Sequence, residues 1–296
     1  MRLTRSQVKS FLPTRPKHAH KGTFGRVLVV AGSGTMAGAG VLCARAALRT
    51  GAGLVCLALP QSRQCVAAAA VPESLTLGLP EKNGVISAQA APILRKFITE
   101  FQPSVLLIGP GLTKAPFIIP FLRENTLPTV LDADALNTLA ESSQWEKIVQ
   151  GKFPLICTPH PGEMKRLIKQ PSSLSEIIRI KQACELSKRT GGVSVLKGFH
   201  SIVTDGKIIY TNPTGSSALA KAGSGDVLGG MIAGLWAQCG MADGFNNNTA
   251  LRAAAVGVYL HGLSGDLAAQ KVTDRAVLAS EVTDQLPVAW KRLLRA

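Results

Sequence analysis

Long hydrophobic runs are absent from this chain of 296 residues. No stretch reaches the ~18 consecutive apolar residues of a membrane-spanning helix. No apolar run follows the basic residues at the N-terminus, as it would in a secretory signal. We therefore expect no membrane partner. Hydrophobic residues still make up 46% of the chain, which is enough for a large core and argues against disorder.

Paired cysteines are also absent. None of the six cysteines belongs to a C-x-x-C pair, and most of them lie inside apolar runs. This usage is typical of buried, reduced thiols, so we expect a cytoplasmic protein without disulfides or a cysteine-bound metal.

Acidic residues are missing from the first 72 positions, which hold ten of the 33 Lys and Arg residues. The chain carries a net charge of +15, so this quarter accounts for much of the excess. A polyanionic ligand is the functional explanation for this excess of basic residues, and a soluble basic surface is the alternative. Aromatic residues are only 5% of the chain and are not interleaved with the basic ones, so we expect no nucleic-acid partner.

The first 21 residues are rich in basic side chains and contain no acid. They faintly resemble a transit peptide, but a segment that packs on the following domain or is partly mobile is the favoured interpretation. No repeat, linker or change in composition divides the chain. We therefore expect one domain over residues 1–296.

Short β-branched or leucine-rich runs alternate with longer helical patterns, such as 39–51 and 172–191. Strands are predicted at 26–31, 54–59, 104–109, 129–133, 154–158 and 192–198. A hairpin that turns at Asp205 and Gly206 follows. Apolar strands separated by helices indicate an α/β fold with a mostly parallel central sheet and helices on both faces.

Polar, glycine-rich turns follow five of these predicted strands. They read AGSGTMAGAG, GPGL, DADALN, TPHPGE and LKGFH. Ligands of open parallel sheets bind beyond the carboxyl ends of the strands. The sequence therefore predicts a functional site at that edge of the sheet.

Two familiar nucleotide-binding motifs are incomplete or missing. Gly32, Gly34 and Ala37 follow the first strand in the looser dinucleotide spacing, but no acid stands before Glu73 to hold a ribose. A Rossmann-type dinucleotide site is therefore disfavoured. No string matches G-x-x-x-x-G-K-[ST], so a nucleotide's phosphates would have to be held in another way.

The run Gly223-Ser224-Gly225-Asp226 supplies another way to hold phosphate. Successive backbone N–H groups at the start of a helix attract anions, and glycine leaves them accessible. Asp226 would then accept a proton from a substrate hydroxyl. The alternative is an ordinary capping aspartate.

The run TPHPGEMKRL enters a helix after a strand. Prolines flank His160, and Glu163 either holds Mg²⁺ through water or is simply a glutamate of the first helical turn. Of Asp132 and Asp134, one is expected in the site and the other as a cap. His18, His20 and His261 are expected to be structural or exposed.

Taken together, these residues resemble the ribokinase-like superfamily, and more narrowly the ADP/ATP-dependent NAD(P)H-hydrate dehydratases. Eight motifs occur in the family's order, and their combination is specific. They are HKGTFGRVLVVAGSGTMAGAG, RTGAGLV, IGPGL, VLDADALN, TPHPGEMKRL, VLKGFHSIVTDG, NPTGSSALAKAGSGDVLGGMIAG and AVGVYLHGLSGDLAA. The resemblance implies a three-layer sandwich.

The family resemblance also implies chemistry and partners. The substrates would be hydrated NADH or NADPH, called NADHX and NADPHX, with ADP or ATP as phosphoryl donor and Mg²⁺ as cofactor. Many relatives carry an N-terminal epimerase domain, so this chain would be the stand-alone dehydratase, with a separate NAD(P)HX epimerase as functional partner. A homo-oligomer, in many relatives a tetramer, is implied as well.

Roles for individual residues follow from the same resemblance. Asp226 would be the catalytic base beside an anion hole of Gly223, Ser224 and Gly225. Contacts to the hydrate fall on Ala39, Gly40, Gly111, His160 and Asp226. Contacts to ADP or AMP fall on Lys197, Gly198, Phe199, His200, Ser201 and Gly225. Glu163 matches the glutamate of the superfamily's N-x-x-E magnesium motif, with His160 in place of the asparagine.

Two other functions stay open at this point. One is a small-alcohol kinase of the same superfamily that acts on a thiazole or pyrimidine vitamin precursor. The other is a nucleotide-binding protein without catalytic activity.

Overall fold

A nine-stranded sheet is the centre of the structure, a computed structural model that describes residues 1–295. The strands are β1 (Arg26–Val30), β2 (Leu54–Pro60), β3 (Leu75–Leu79), β4 (Glu81–Lys82), β5 (Val85–Ile86), β6 (Val105–Ile108), β7 (Thr129–Leu131), β8 (Leu155–Cys157), β9 (Val193–Leu196), β10 (Ile202–Thr204) and β11 (Ile209–Thr211). The sheet order is β11-β10-β9-β8-β7-β6-β1-β2-β3, while β4 and β5 form a separate hairpin.

Helices cover both faces of this sheet. They are α1 (Arg5–Ser10), α2 (Ala37–Thr50), α3 (Gln64–Ala70), α4 (Ala90–Phe101), α5 (Ile118–Glu124), α6 (Asp134–Ala140), α7 (Glu146–Val149), α8 (Pro161–Ile168), α9 (Glu176–Thr190), α10 (Ser224–Asp243), α11 (Asn247–Val272) and α12 (Ala279–Leu294). In the nine-stranded sheet, neighbouring strands pair in parallel from β3 through β2, β1, β6, β7 and β8 to β9, whereas β10 pairs antiparallel with both β9 and β11. The predicted α/β class and its mostly parallel sheet are confirmed.

The sheet separates two hydrophobic cores. Val27 and Val29 of β1 face one core, and Leu28 and Val30 face the other. Side chains alternate in this way because successive residues of a strand point to opposite faces. Both faces are apolar, which is why the strands read as continuous hydrophobic runs.

All six predicted parallel strands and the hairpin are present, within about two residues of their predicted bounds. The sequence interpretation missed β3 and the β4–β5 hairpin. Strand β3 lies at the edge of the sheet, and its first residue, Leu75, is exposed. Because only part of β3 is buried, and Thr76 and Gly78 interrupt its leucines, it lacks the apolar run that marks a central strand.

The N-terminal residues lie against the last strand. The Leu3 amide donates to the Thr211 carbonyl at 3.0 Å, and the ring centroids of Phe11 and Tyr210 are 5.6 Å apart. Val8 is fully buried. These contacts fix the start of the chain to the end of the sheet that lies opposite β3.

The six thiols are free, and four of them are buried. Cys65 departs from the expected burial, because it lies in the short helix α3 and is exposed. Within residues 1–295, no helix combines the length and the hydropathy needed to cross a membrane.

Helix α10 lies close to α2 through glycines. A side chain at Gly230 would collide with the Cys43 carbonyl, and one at Gly234 would meet Ala47 and Thr50. This packing explains two of the glycines after Asp226, and it fixes α10 on the face of the sheet. Its N-terminal end therefore reaches the residues that follow β7 and β9.

Candidate active site

The first turn of α10 presents free backbone donors. Gly223, the N-cap residue directly before Ser224, has φ +85° and lies in the left-handed region that favours glycine. The amides of Gly225 and Asp226 find no hydrogen-bond acceptor in the described part of the chain. Free donors and the helix dipole make this end attractive to an anion.

A cavity of about 850 Å³ opens beside this turn. Most of residues 212–221 form one wall, and Val258, His261 and Gly262 of α11 contribute to it. The residues expected to contact the nucleotide line it together, and these are Lys197, Gly198, Phe199, His200, Ser201 and Gly225. His160, expected to contact the hydrate, lies at the same cavity.

Asp226 has the protonation behaviour of a base. Burial, followed by the charge of Asp132, raises the pKa of Asp226 to about 6, against a smaller lowering by Lys197. The carboxylate is therefore mostly ionised at neutral pH and near the range in which a general base is effective.

A buried ion pair lies next to Asp226. Lys197 Nζ is 2.6 Å from Asp132 Oδ1, and the two side chains are 16% and 1% exposed. Burial by itself lowers the pKa of Lys197, but Asp132 and Glu163 outweigh it, so that the pKa is raised and the ammonium is retained. A carbon placed at the Cβ position of Gly225 would lie 3.3 Å from this ammonium.

His160 and Glu163 close a capping box at the start of α8. The amide of Gly162 donates to His160 Nδ1 at 2.9 Å, and the His160 amide donates to Glu163 Oε2 at 2.7 Å. Burial, then Lys197 and Arg166, lower the pKa of His160, so its ring is neutral. Burial raises the pKa of Glu163 to about 7.

Glu163 is poorly arranged for a metal. One oxygen accepts from the His160 amide, the other lies 3.3 Å from His160 Nε2, and the Lys197 ammonium is 3.8 Å away. Among residues 1–295 no group of three His, Cys, Asp or Glu side chains is placed to hold an ion. The metal role of Glu163 stays a prediction that this geometry does not favour.

The remaining hydrate-contact residues do not line the 850 Å³ cavity, because Ala39 and Gly40 belong to the first turn of α2 and Gly111 lies in the turn after β6. A Cβ at Gly111 would be 2.9 Å from that of Ala39, so these two backbones are adjacent. Gly40 is buried, and a Cβ there would lie 2.8 Å from Leu57, which makes close packing one reason for this glycine. Met36, next to Gly111, lines a second cavity of about 610 Å³.

The two aspartates of DADALN have different environments. Asp132 is buried against Lys197, whereas Asp134 Oδ2 accepts from the Thr113 amide at 2.8 Å and faces the second cavity. Between them Ala133 has φ +49°, an uncommon conformation for alanine. This turn directs the two carboxylates to different partners.

Comparison with known proteins decides the family. A model of the family described as NAD(P)H-hydrate dehydratase matches residues 27–288. The chain belongs to this family. It is 32% identical over 294 residues to the ADP-dependent (S)-NAD(P)H-hydrate dehydratase of Bacillus subtilis, and the alignment covers 98% of this chain and 97% of that one.

Other family members are longer. The bifunctional NAD(P)H-hydrate repair enzyme Nnr of Moorella thermoacetica is 40% identical over 299 residues, an alignment that covers 98% of this chain and 54% of the relative. The chain thus spans about half the length of the bifunctional relatives that it matches.

Solved structures agree with the family assignment. The ADP/ATP-dependent NAD(P)H-hydrate dehydratase of Bacillus subtilis, co-crystallised with ATP and Mg²⁺, superposes with a TM-score of 0.78 at 28% identity, over 98% of this chain and 97% of that one. A ribokinase-like superfamily protein of Enterococcus faecalis superposes with a TM-score of 0.79 at 25% identity, over 98% and 95%. The three-layer ribokinase-like fold is therefore confirmed.

One residue at the cavity was missed as a candidate. His261, expected to be structural or exposed, is buried, lines the cavity and lies with Nε2 3.3 Å from Ser224 Oγ. Burial lowers the pKa of His261 to about 4, so the ring is neutral. The available signal was the motif HGLSGD, whose Asp266 accepts from the Gly215 amide at 2.9 Å in the cavity wall.

Proposed function

We propose that this chain dehydrates (S)-NADHX and (S)-NADPHX to NADH and NADPH at the expense of ADP or ATP. The observation that carries the proposal is the first turn of α10, where Gly225 lines the large cavity, the amides of Gly225 and Asp226 lack acceptors among the described residues, and the half-buried Asp226 carboxylate follows directly. Membership of the NAD(P)H-hydrate dehydratase family supports the choice of substrate.

The first step is phosphoryl transfer. The hydroxyl oxygen of the hydrate forms a bond to the terminal phosphorus of the nucleotide, and the bond from that phosphorus to the departing AMP or ADP breaks. Asp226 accepts the hydroxyl proton, because a carboxylate with a pKa of about 6 is ionised at neutral pH. Positioning and charge stabilisation are what such a transfer needs from a protein.

Charge stabilisation comes from this chain's own groups. The amides of Gly225 and Asp226 donate to the transferring phosphoryl oxygens, and the Lys197 ammonium lies beside Gly225. Donors that are fixed in advance in a partly dry site stabilise developing charge more strongly than water does.

The second step is elimination. The C–O bond to the phosphorylated oxygen breaks and inorganic phosphate leaves, while the ring nitrogen supplies the electron pair. The resulting iminium loses a proton from the neighbouring ring carbon, which restores the dihydronicotinamide. No protein group needs to form a covalent bond to the substrate.

The nucleotide occupies the 850 Å³ cavity in this proposal. Phe199 is 73% exposed and stacks on His200 with ring centroids 3.9 Å apart, so the pair offers a flat face for an adenine ring. The Bacillus subtilis relative was co-crystallised with ATP and Mg²⁺, which supports a nucleotide as co-substrate.

Among residues 1–295 no cluster of side chains is arranged to bind Mg²⁺, and the Glu163 oxygens are engaged by His160 and face the Lys197 ammonium. Mg²⁺ usually keeps several waters and binds nucleotide phosphates, and it belongs in the assay for that reason. No step of the mechanism is assigned to it.

The proposal also includes two kinds of partner. The resemblance at the sequence level suggests that a separate epimerase supplies the S form of the hydrate, and that the chain assembles with copies of itself. Both are open to direct measurement, by activity on mixed epimers with and without an added epimerase and by sedimentation.

The test is recovery of the dihydronicotinamide absorbance. Purified protein is mixed with hydrated NADH, Mg²⁺ and either ADP or ATP, and we expect recovery that depends on the nucleotide. A folded protein that restores no absorbance with either donor contradicts the proposal. In that case ATP turnover with hydroxyethylthiazole or hydroxymethylpyrimidine would identify a small-alcohol kinase.

A further inference from the structure

Asp132 is buried in the middle of the site, yet the proposed mechanism gives it no task. It follows β7, the fifth of nine strands in the sheet order, and its amide donates to the Ile108 carbonyl at 3.2 Å. Its side chain is 1% exposed. A buried carboxylate at the centre of a site needs a partner, because burial of an unpaired charge is strongly unfavourable.

The partner of Asp132 is the Lys197 ammonium, which it holds at 2.6 Å. Glu163 is the only other carboxylate within 4.0 Å of that ammonium in the described residues, and it lies farther away, at 3.8 Å. Lysine is a flexible point charge that can adopt many positions around a cavity. Here the nearer carboxylate fixes it.

The fixed position is next to the anion hole. The ammonium lies 3.3 Å from the place that a Cβ of Gly225 would occupy, and Asp132 Oδ2 lies 3.4 Å from the same place at Gly229. Both members of the pair therefore rest on glycines of the first two turns of α10. The methyl group of an alanine at Gly225 or Gly229 would be in close steric contact with the ion pair.

The turn that carries Asp132 is strained. Ala133 has φ +49° and ψ −118°, which is outside the regions that alanine prefers. Strain of this kind persists only where the surroundings impose it, and it is commonest at functional sites. Here it turns Asp132 inwards to Lys197, while Asp134, the first residue of α6, accepts from the Thr113 amide and caps no helix.

We propose that Asp132 is a positioning residue, which holds the Lys197 ammonium over Gly225 where the transferred phosphoryl group passes. The inference rests on the proposed function, because it assumes that a phosphoryl group occupies the anion hole. Asp132 acts through Lys197 and touches no substrate itself.

The test compares Asp132→Asn with Asp243→Asn. Asp243 also pairs with a cation at 2.6 Å, its partner Arg252, but this pair lies at the opposite end of α10 and does not line the cavity. We expect Asp132→Asn to lower kcat about 100-fold, as loss of a fixed charge-stabilising group does. Asp243→Asn should stay within about twofold of the native enzyme.

A second readout separates positioning from folding. Asp226 is faced by Asp132, Asp134 and Lys197, so removal of the Asp132 charge should move the acid limb of the kcat/KM profile to lower pH. A variant that was merely less stable would keep the limb where it is. An unmoved limb together with a twofold or smaller loss of kcat would overturn the proposal.

A double variant tests whether Asp132 works through Lys197. Lys197→Met and Asp132→Asn/Lys197→Met are compared, and the double variant also removes the buried unpaired ammonium should Asp132→Asn alone fail to fold. We expect the double variant to be no slower than Lys197→Met, because the two residues act as a unit. Losses that multiply would show that Asp132 acts independently of Lys197, against the proposal.

ADP binding by calorimetry keeps this inference distinct from the proposed function. We expect Asp132→Asn to weaken ADP binding about tenfold, since a charged hydrogen-bond donor is displaced, while Asp243→Asn leaves it unchanged. If the native protein binds ADP but converts no hydrate, the proposed function fails and the ADP comparison alone decides the role of Asp132. Equal ADP affinity in Asp132→Asn and Asp243→Asn would contradict the positioning role of Asp132.

Discussion

Two ion pairs lie near the ends of helix α10, one beside each end, and they have the same length but different surroundings. Lys197 and Asp132, near its first turn, are 2.6 Å apart with side chains 16% and 1% exposed. Arg252 and Asp243, at its last turn, are also 2.6 Å apart, but Asp243 is 46% exposed. Distance is therefore not what distinguishes a functional pair from a structural one.

Burial and neighbours make the difference. An exposed pair is screened by water and contributes about 0–1 kcal/mol to stability. A buried pair offsets a large desolvation penalty, and loss of one partner costs about 3–5 kcal/mol. The Lys197–Asp132 pair also affects the protonation of Asp226. Burial and then Asp132 raise the pKa of Asp226, while Lys197 lowers it.

The largest expected effect is at the first turn of α10. Asp226→Asn removes the proposed base but keeps the shape of the side chain. We expect kcat to fall by about 10²–10⁴, the usual contribution of general-base catalysis, with the fold and ADP affinity retained. Steady-state kinetics and calorimetry check this. Undiminished turnover in Asp226→Asn would show that Asp226 is not the catalytic base.

The middle of α10 tests whether its position depends on glycine packing. Gly230→Ala places a methyl group against the Cys43 carbonyl of α2, so we expect a loss of about 1–3 kcal/mol in the free energy of unfolding from overpacking.

Gly38→Ala is the matched control for Gly230→Ala. Gly38 lies in α2 with nothing within 4 Å of the added carbon, so this change should stabilise the protein by about 0.5–1 kcal/mol. Denaturant unfolding of both variants measures the difference. Equal effects would mean that the close approach of α10 and α2 does not require glycine.

The pH dependence is a smaller effect. The pKa of Asp226 is raised to about 6, so the base is ionised above that pH and becomes protonated as the pH falls through it. We expect kcat/KM to be half-maximal near pH 6 and to fall about tenfold per unit below. The profile is measured with hydrate at low concentration. A flat profile from pH 7 to pH 4.5 would be incompatible with Asp226 as the base.

The smallest effect is expected at the last turn. Asp243→Asn breaks the Arg252–Asp243 pair, and we expect the free energy of unfolding to fall by less than about 1 kcal/mol. Thermal unfolding at low and high salt measures it, with native protein alongside. A loss of several kcal/mol would show that the Arg252–Asp243 pair contributes as much to stability as a buried pair, which contradicts the difference expected between the two pairs.

Much of the fold could be predicted because its strands are buried on both faces. Runs such as RVLVV of β1 are short, rich in β-branched residues and almost wholly apolar, which favours a buried strand over a helix. Strand β3 escaped prediction because an edge strand is only partly buried and needs no such run. Local patterns report burial, so elements with little burial are the ones that are missed.

The candidate site likewise contains residues that a local sequence pattern marks and contacts that no local pattern marks. Gly223–Asp226 and the turn LKGFH are marked by a local pattern, because glycine turns stand at strand ends and helix starts, whereas the nucleotide contacts of Lys197–Ser201 come from the family resemblance and stay a prediction. The pairing of Lys197 with Asp132 joins residues 65 positions apart, and that of His261 with Ser224 joins residues 37 apart. A single sequence carries no local mark of such contacts. Which carboxylate of DADALN points inwards likewise depends on the backbone at Ala133.

In the proposed function, nucleotide consumption and repair of the hydrate are one reaction. The most direct measurement follows NADH, inorganic phosphate and AMP in the same vessel, starting from hydrated NADH and ADP, with Asp226→Asn as the blank. We expect one phosphate and one AMP for each NADH restored, and none of these products with Asp226→Asn. AMP and phosphate released without NADH, or NADH restored without nucleotide cleavage, would contradict it.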